Sequence, residues 1–431
     1  MKYSPIDSSF YTENRKKFSA LLEKNSIAIF HSNDEMPRSG DSFHPFRQHA
    51  DLFYLTGIDQ EETTLILFPD CPLEEYREVL LLRQTNDQIA IWEGHKYTIE
   101  EAQKASGISK ILWNEDIESI LHMLMVYARH VYLDLNENYR MKYVIPDRNH
   151  RLALQLMERF PLHDYRRSAT IMLSLRQIKA EPEVRQIKEA IRVTDMAFRR
   201  VLNFVKPGVN EYEVEAEITH EFLRNRMNGH AYSPIIASGK NSCVLHYVAN
   251  SETCREGEVL LLDFGADYGN YAADLTRTIP VSGRFTKRQR RIYDAVLRVM
   301  RGAMKLLKPG TVIQEYHEAV GEMMTEELVN LRLLKKSDLK NQTKEKPAYK
   351  KYFMHGTSHH LGIDVHDLGT RFEPIKPGMV FTCEPGIYVP EESIGVRIEN
   401  DLLITKNGNT DLMSMIPIEA EEIEALMKAG R

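Results

Sequence analysis

The stretch LLLDFGADYGNYAADLTRT (Leu260–Thr278) sets two aspartates in an apolar strand context on either side of a turn. The cluster Asp267-Tyr268-Gly269-Asn270 predicts a β-hairpin. With its centre between Tyr268 and Gly269, Asp267 faces Asn270, Phe264 faces Ala273 and Asp263 faces Asp274. Directly opposed side chains on an antiparallel ladder have Cβ atoms about 4.5–5.5 Å apart. Two carboxylates at that separation repel, and their neighbours are apolar. A buried charge without a partner is costly, so a cation belongs between them. The competing reading is a surface strand pair with two solvated acids.

A second run, MVFTCEPGIYVPEESIGVRIENDLLITKNG (Met379–Gly408), has the same character. A turn at Glu391–Glu392 makes Glu384 face Glu399, although a bulge at Pro385-Gly386 could shift that register. A third stretch, HGTSHHLGIDVHD (His355–Asp367), holds four histidines. His355 and His359 stand one helical turn apart, as in a zinc-protease helix. That motif needs a glutamate after the first histidine, and Gly356 stands there. Gly-Thr-Ser is also a poor helix interior. Each histidine taken alone reads as structural; the group does not. Four carboxylates and one histidine form a hard, oxygen-rich set. It suits two divalent ions, such as manganese, cobalt or iron, better than a lone structural zinc.

The rest of the chain gives context. At 431 residues it is long for one core and predicts two domains. A net charge of −6 gives no support for nucleic-acid binding, which usually shows a basic surplus. The opening residues lack an apolar segment of signal-peptide type, and no apolar run approaches the roughly 18 residues of a membrane span. The four cysteines (Cys71, Cys243, Cys254, Cys383) show no CxxC pairing, which fits a reducing cytoplasm and argues against cysteine-bound zinc.

The N-terminal part alternates helical and strand patterns, so an α/β domain is expected over residues 1–172. FYTENRKKFSALLEK and IESILHMLMVYA read as helices. SIAIFHS, DLFYLTGI, TTLILFP, EVLLLRQ, QIAIWEG and HVYLDL read as strands. Residues 173–431 form the second domain. There Val184, Ile187, Ile191, Thr194, Phe198, Val201 and Val205 make the apolar stripe of a long helix. It ends at Lys206-Pro207-Gly208, and Asn210 with Glu213 opens the next helix as a capping box. The plan recurs with a cap at Thr286 and Gln289, a stripe from Ile292 to Leu306, and a stop at Lys308-Pro309-Gly310. The repeat reads either as chance or as an internal duplication. The basic, polar segment Leu334–Lys351 reads as a solvated, mobile connection.

Five positions in order now carry a resemblance: Asp263 in LLDFGA, Asp274 in AADLTRT, His359 in HGTSHHLG, Glu384 in CEPGIY and Glu399 in VRIEND. From about Glu181 onward the chain resembles the pita-bread metallopeptidases, which include methionine aminopeptidase, prolidase and aminopeptidase P. HGTSHHLGIDVHD, CVLHY around His246 and FRQHADLFYLTG (Phe46–Gly57) make it most similar to the aminopeptidase P branch. His360 stands where relatives often carry an aromatic or other bulky residue.

The resemblance implies an N-terminal α/β domain followed by a pseudo-symmetric α+β pita-bread domain, the creatinase and methionine aminopeptidase type. It implies release of the N-terminal residue from peptides with proline second. It implies two divalent ions, manganese first, with cobalt, iron or zinc as other occupants. Asp263 would bind one ion, Asp274 and Glu399 would bridge both, and His359 and Glu384 would bind the other. Glu384 would also carry the proton, His246 and His366 would bind the oxyanion, and His355 would shape the proline pocket. Arg397 would support a metal-bound carboxylate, unless it makes only a surface ion pair, and Tyr388 would line the pocket. Trp92 would reach a neighbouring subunit's site, unless it only packs in the core. The N-terminal domain would cap the site. A cytoplasmic homodimer or homotetramer follows, without nucleic acid or membrane as partners. Prolidase, acting on Xaa-Pro dipeptides, and a non-catalytic pita-bread binding module are the alternatives.

Overall fold

The computed structural model describes residues 3–138 and 145–430. The chain forms two compact units, one over Pro5–Arg176 and one from Gln177 onward that also takes in the residues before Pro5.

The first unit is built on a six-stranded mixed sheet, in the order β6-β5-β4-β1-β7-β8. Helix α1 (Ser8–Ser19) is capped by Asp7, whose carboxylate accepts the Ser9 N–H. Then come β1 (Ser26–His31), an exposed ribbon of β2 (Pro37–Ser39) and β3 (Ser42–Phe43), and helix α2 (Ala50–Thr56). Strands β4 (Thr64–Leu67) and β5 (Glu78–Leu82) lead to helices α3 (Asp87–Glu93) and α4 (Ile99–Ser106). Strand β6 (Lys110–Trp113), α5 (Ile117–Met125), β7 (His130–Leu133), α6 (Arg148–Arg159), β8 (Asp164–Arg167) and α7 (Ala169–Arg176) complete the unit. β1 and β4 are buried along their whole length, as expected of strands covered on both faces. On one face Ile27, Ile29, Ile66 and Val131 pack with Leu121 and Leu124 of α5 and Leu156 of α6. On the other Phe30 meets Phe18 of α1 edge to face at 5.2 Å. Burying each such side chain contributes roughly 1.5–3 kcal/mol.

The second unit is duplicated. Helices α8 (Glu181–Phe204) and α9 (Glu211–Arg224) pack together, as do α10 (Lys287–Leu306) and α11 (Ile313–Asn330). Each pair is joined through a Lys-Pro-Gly turn whose glycine has positive φ, 96° at Gly208 and 90° at Gly310. Each of these glycines donates its N–H to a carbonyl just before a strand, Cys254 or Ile375, at 2.9 Å. After the first pair come β9 (Gly229–His230), β10 (Ile235–Ser238), β11 (Val259–Phe264), β12 (Ala266–Tyr268), β13 (Tyr271–Ala272) and β14 (Leu275–Pro280). After the second come helix α12 (Lys336–Lys340), β15 (Val380–Cys383), β16 (Gly386–Val389), β17 (Ile394–Arg397), β18 (Asn400–Thr405), β19 (Gly408–Asp411) and helix α13 (Ala420–Ala429). Each half thus supplies a three-stranded antiparallel sheet, β10-β11-β14 and β15-β18-β19. The repeated Lys-Pro-Gly passages mark a structural duplication, as the pita-bread plan requires.

Several local readings change. DLFYLTGI is mostly helix, closed by Gly57 at φ 69°. A short continuous apolar run does not separate a strand from a buried helix. QIAIWEG is also helix, nucleated by Asn86, whose side chain accepts the Ile89 N–H at 2.9 Å. Trp92 on it is 83% exposed, which excludes core packing within this chain. The polar segment before Tyr352 is more ordered than expected. It carries α12 and a 3₁₀ turn at Ala348–Lys351, and the Tyr349 ring fills the space beside Gly321 on α11.

The hairpin register also shifts. Gly269 and Asn270 both have positive φ, 57° and 64°, so they form the two-residue loop themselves. Tyr268 then pairs with Tyr271, and Asp263 pairs with Thr276 rather than with Asp274. The slip is two residues, which keeps both aspartates on one face. The second hairpin has the expected register on both sides of the bend: Gly386 pairs with Arg397, and Cys383 with Asn400.

Candidate metal centre and active site

The acids lie at corresponding strand ends of the two halves. Asp263 sits near the end of β11, Glu384 just after β15, Asp274 just before β14 and Glu399 just before β18. Gly265 lets the first hairpin close here: a Cβ on it would lie 1.7 Å from the Ala273 carbonyl oxygen. The Thr276 carbonyl accepts the Glu399 N–H at 3.0 Å, stitching the two halves at the site. Beneath it Arg277 is fully buried and donates to the carbonyls of Thr276, Glu399 and Pro417 and to the Asn400 side chain.

Three of the candidate side chains form a compact group. One carboxylate oxygen each from Asp274 and Glu399 and one ring nitrogen of His359 all lie within 4.8 Å of one another. His359 Nδ1 meets the His360 carbonyl at 3.0 Å. A proton on Nδ1 serves that bond, so Nε2 is the nitrogen available to an ion; it faces Asp274 at 3.5 Å and Glu384 at 3.8 Å, and donates to Asp274 when it is protonated. The neutral tautomer with its proton on Nδ1 is the one a metal ligand needs. Asp263 accepts from Arg397 at 2.5 Å through one oxygen and from the Tyr232 hydroxyl at 2.6 Å through the other. The same hydroxyl lies 2.6 Å from Asp274. Tyr232 has one proton for two carboxylates.

The electrostatics show what is lacking. Burial pushes Asp263 and Glu399 above the usual carboxylate range, Glu399 far above it, and the charge of Asp274 adds to both. Burial raises Glu384 to about 7, with His359 and Arg397 pulling the other way. Asp401, whose carboxylate accepts the Asp274 N–H at 3.1 Å, is also pushed well up by burial and Asp274. Burial alone would lower His359, but hydrogen bonding to Asp274 and the charge of Glu384 leave it raised. Five acids, four of them buried and Glu384 half-buried, with Arg397 and one histidine beside them are short of positive charge. A set of carboxylates with one imidazole fits hard or borderline divalent ions.

A second chain of contacts leads outward. Arg397 also donates to the Tyr388 hydroxyl at 2.9 Å, and that hydroxyl meets His355 Nε2 at 2.7 Å. With its proton on Nδ1, bonded to the Gly356 carbonyl at 2.7 Å, His355 is held neutral. Burial and the nearby Arg397 charge push its pKa down to about 3. Tyr388 is wholly buried, so it backs His355 rather than lining a surface. Arg397 is buried and is no surface ion pair. His366 stands against His359, ring centroids 4.5 Å apart and nearly perpendicular, and is itself exposed. His246 is exposed too. His360 packs on Phe381 at 4.2 Å, a wall residue.

Sequence reasoning missed Tyr232, Thr276 and Asp401. Thr276 donates to Glu399 at 2.7 Å and receives Arg397 Nε at 3.1 Å. Asp401 follows Glu399 by two residues on the same strand face, a signal the pattern carried. Tyr232 precedes β10 and meets the acids only because β10 pairs with β11.

Comparison with known proteins agrees with this picture. Residues 185–406 match the model of metallopeptidase family M24, and residues 11–132 match that of the aminopeptidase P N-terminal domain. The chain is 34% identical to the Xaa-Pro aminopeptidase of Escherichia coli K12, over 99% of both chains. It is 32% identical to that of Haemophilus influenzae, over 97% of this chain and 96% of the other. Among solved structures, Pseudomonas aeruginosa aminopeptidase PepP superposes with a TM-score of 0.90 at 33% identity, over 99% of each chain. A zinc-substituted Escherichia coli aminopeptidase P in complex with product gives 0.88 at 33% identity, over 99% of this chain and all of the other.

Proposed function

The chain belongs to metallopeptidase family M24 and shares its whole length with Xaa-Pro aminopeptidases, and from that premise we propose its reaction: release of the N-terminal residue from peptides whose second residue is proline. It is a metal-dependent exopeptidase; the substrate, the metal and the residue roles are the proposed part. The observation that carries the proposal is the acid cluster, short of cations, with His359 Nε2 turned toward it.

Asp263, Asp274, His359, Glu384 and Glu399 would hold two divalent ions, with Asp274 and Glu399 shared between them. Manganese is the first choice, with cobalt, iron or zinc as other occupants. When bound, the ions supply an activated water and polarise the scissile carbonyl. Glu384 takes the proton of the attacking water and hands it to the departing proline nitrogen. His246 and His366, both on the open side, donate hydrogen bonds to the oxygen as it gains charge. His355, held neutral by Tyr388 and Gly356, forms the wall against the proline ring. Arg397 orients Asp263 and favours its ionised form against the effect of burial. An Xaa-Pro bond has no amide hydrogen and a ring-substituted nitrogen, which general peptidases handle poorly, so a dedicated pocket is required. Trp92, outward on α3, reaches the site of a neighbouring subunit in a dimer or tetramer. Four free cysteines support a reducing, cytoplasmic setting.

The test is a substrate-length assay with added manganese, cobalt or zinc. Xaa-Pro-Xaa peptides should lose their first residue; cleavage of Xaa-Pro dipeptides alone would instead identify a prolidase. A binding module without catalysis would retain no divalent ion at micromolar levels after dialysis.

A further inference from the structure

One buried carboxylate of the second unit has no part in the chemistry above. Glu211, the first residue of α9, is fully buried. Its Oε1 accepts the Ser238 N–H at 2.7 Å, the Ser238 hydroxyl at 2.8 Å and the Asn241 side chain at 3.4 Å. Its Oε2 accepts the Tyr247 hydroxyl at 2.7 Å and the Glu252 N–H at 2.9 Å. A carboxylate has about four lone-pair sites, so its capacity is filled. None of the five donors is a lysine or arginine. Burying a carboxylate this way is tolerable only while all those donors stay in place.

Every donor comes from one loop, Ser238 to Glu252, whose two ends and middle converge on this single side chain. One turn further along α9, Glu215 accepts from Asn250 at 2.8 Å, and Asn250 also receives the Ile236 N–H at 3.0 Å. Cys243, Leu245 and Tyr247 pack inward against Ile235, Ala237, Leu261 and Tyr388. The alternate residues Val244, His246 and Val248 are left exposed. His246 is therefore carried by the neighbour of a residue that Glu211 holds directly.

We propose that Glu211 is a positioning residue: it fixes the Ser238–Glu252 loop so that His246 meets the oxygen of the scissile carbonyl. This rests on the reading of His246 given above. A side chain that only stabilised the fold would not need to act through one histidine, and that difference can be measured. Glu211→Gln replaces an acceptor by a donor facing the same loop. Tyr247→Phe removes one hydroxyl and serves if Glu211→Gln fails to fold. Each should lower kcat on an Xaa-Pro-Xaa peptide by about tenfold with KM within about twofold, as for a group that acts in the transition state. In a His246→Ala background the same changes should cost less than about twofold, because the positioned group is gone. Amide exchange over residues 239–251 should quicken in both single variants.

Losses that multiply unchanged in the His246→Ala background would overturn the proposal, and so would unchanged exchange in the loop. Full activity of His246→Ala would overturn it as well. Failure of the peptidase reading itself is distinct: it shows as an inactive wild-type reference.

Discussion

At the scale of single residues, the site is a charge problem with one tyrosine in the middle. The metal-ligand candidates were legible because acids in apolar strands demand explanation, whatever the register. Asp274→Asn or Glu399→Gln should abolish turnover while circular dichroism and melting stay near those of the parent; near-normal activity in either would contradict their bridging role. Tyr232 was not legible, since nothing in its local sequence tells that it will stand 2.6 Å from two aspartates. It is the only described tyrosine that hydrogen-bonds both, and in the metal-free chain its proton relieves one of them. Tyr232→Phe should therefore destabilise the chelated protein by about 1–3 kcal/mol, the usual range for leaving a buried polar group unsatisfied. The metal-loaded protein should lose less, because the ions neutralise the same oxygens. Melting curves with and without chelator check this. The tautomers of His355 and His359 were equally hidden, because each depends on a carbonyl one residue along the chain.

At the scale of elements, two hairpins read by one rule gave different results. The second kept its register through Pro385, while the first slipped by two because the loop is Gly269-Asn270. Backbone handedness decided this, and the side chains Asp267 and Tyr268 were a poor guide to it. The face survived the slip, so the acids still met. Gly265→Ala should be severe: the new Cβ would strike the Ala273 carbonyl, and a loss above about 4 kcal/mol is expected, read from denaturant melts. The two helices mistaken for strands are seven residues each, too short for periodicity to declare itself. At the end of β1, His31 is buried against Thr64, and burial with the charges of Arg148, His49 and Arg151 lowers its pKa to about 3. The unfolded chain then takes up a proton near pH 6.5 and the folded one does not until about 3. Stability of the first unit should fall as pH drops through that window, by up to about 1.4 kcal/mol per pH unit from this residue. Urea melts at pH 7 and pH 4 test the slope, which His31→Gln should flatten.

At the scale of the whole molecule, length and pattern predict two domains, and the Lys-Pro-Gly passages leave chance and duplication open; the paired helices and sheets of the second unit decide for duplication. Surface partners were not legible to the same degree. Ile91 and Trp92, 80% and 83% exposed on α3, carry no packing duty in this chain. Trp92→Ala should leave the melting temperature within about a degree, as for surface changes under about 0.5 kcal/mol, and lower activity if subunits share sites. Sedimentation beside the assay separates that from a monomeric enzyme. The duplicated acids have one more consequence. Asp263 and Asp274 belong to the first half of the second unit, and His359, Glu384 and Glu399 to the second. An ion held among Asp274, His359 and Glu399 would cross-link the halves, a non-covalent rivet in the place a disulfide takes in many secreted proteins. Saturation at a hundred times Kd would add about 2.7 kcal/mol to the folded state. Stripping the ions should then broaden the unfolding transition as well as lower it, so that the sharpness of melting reports how many sites are filled.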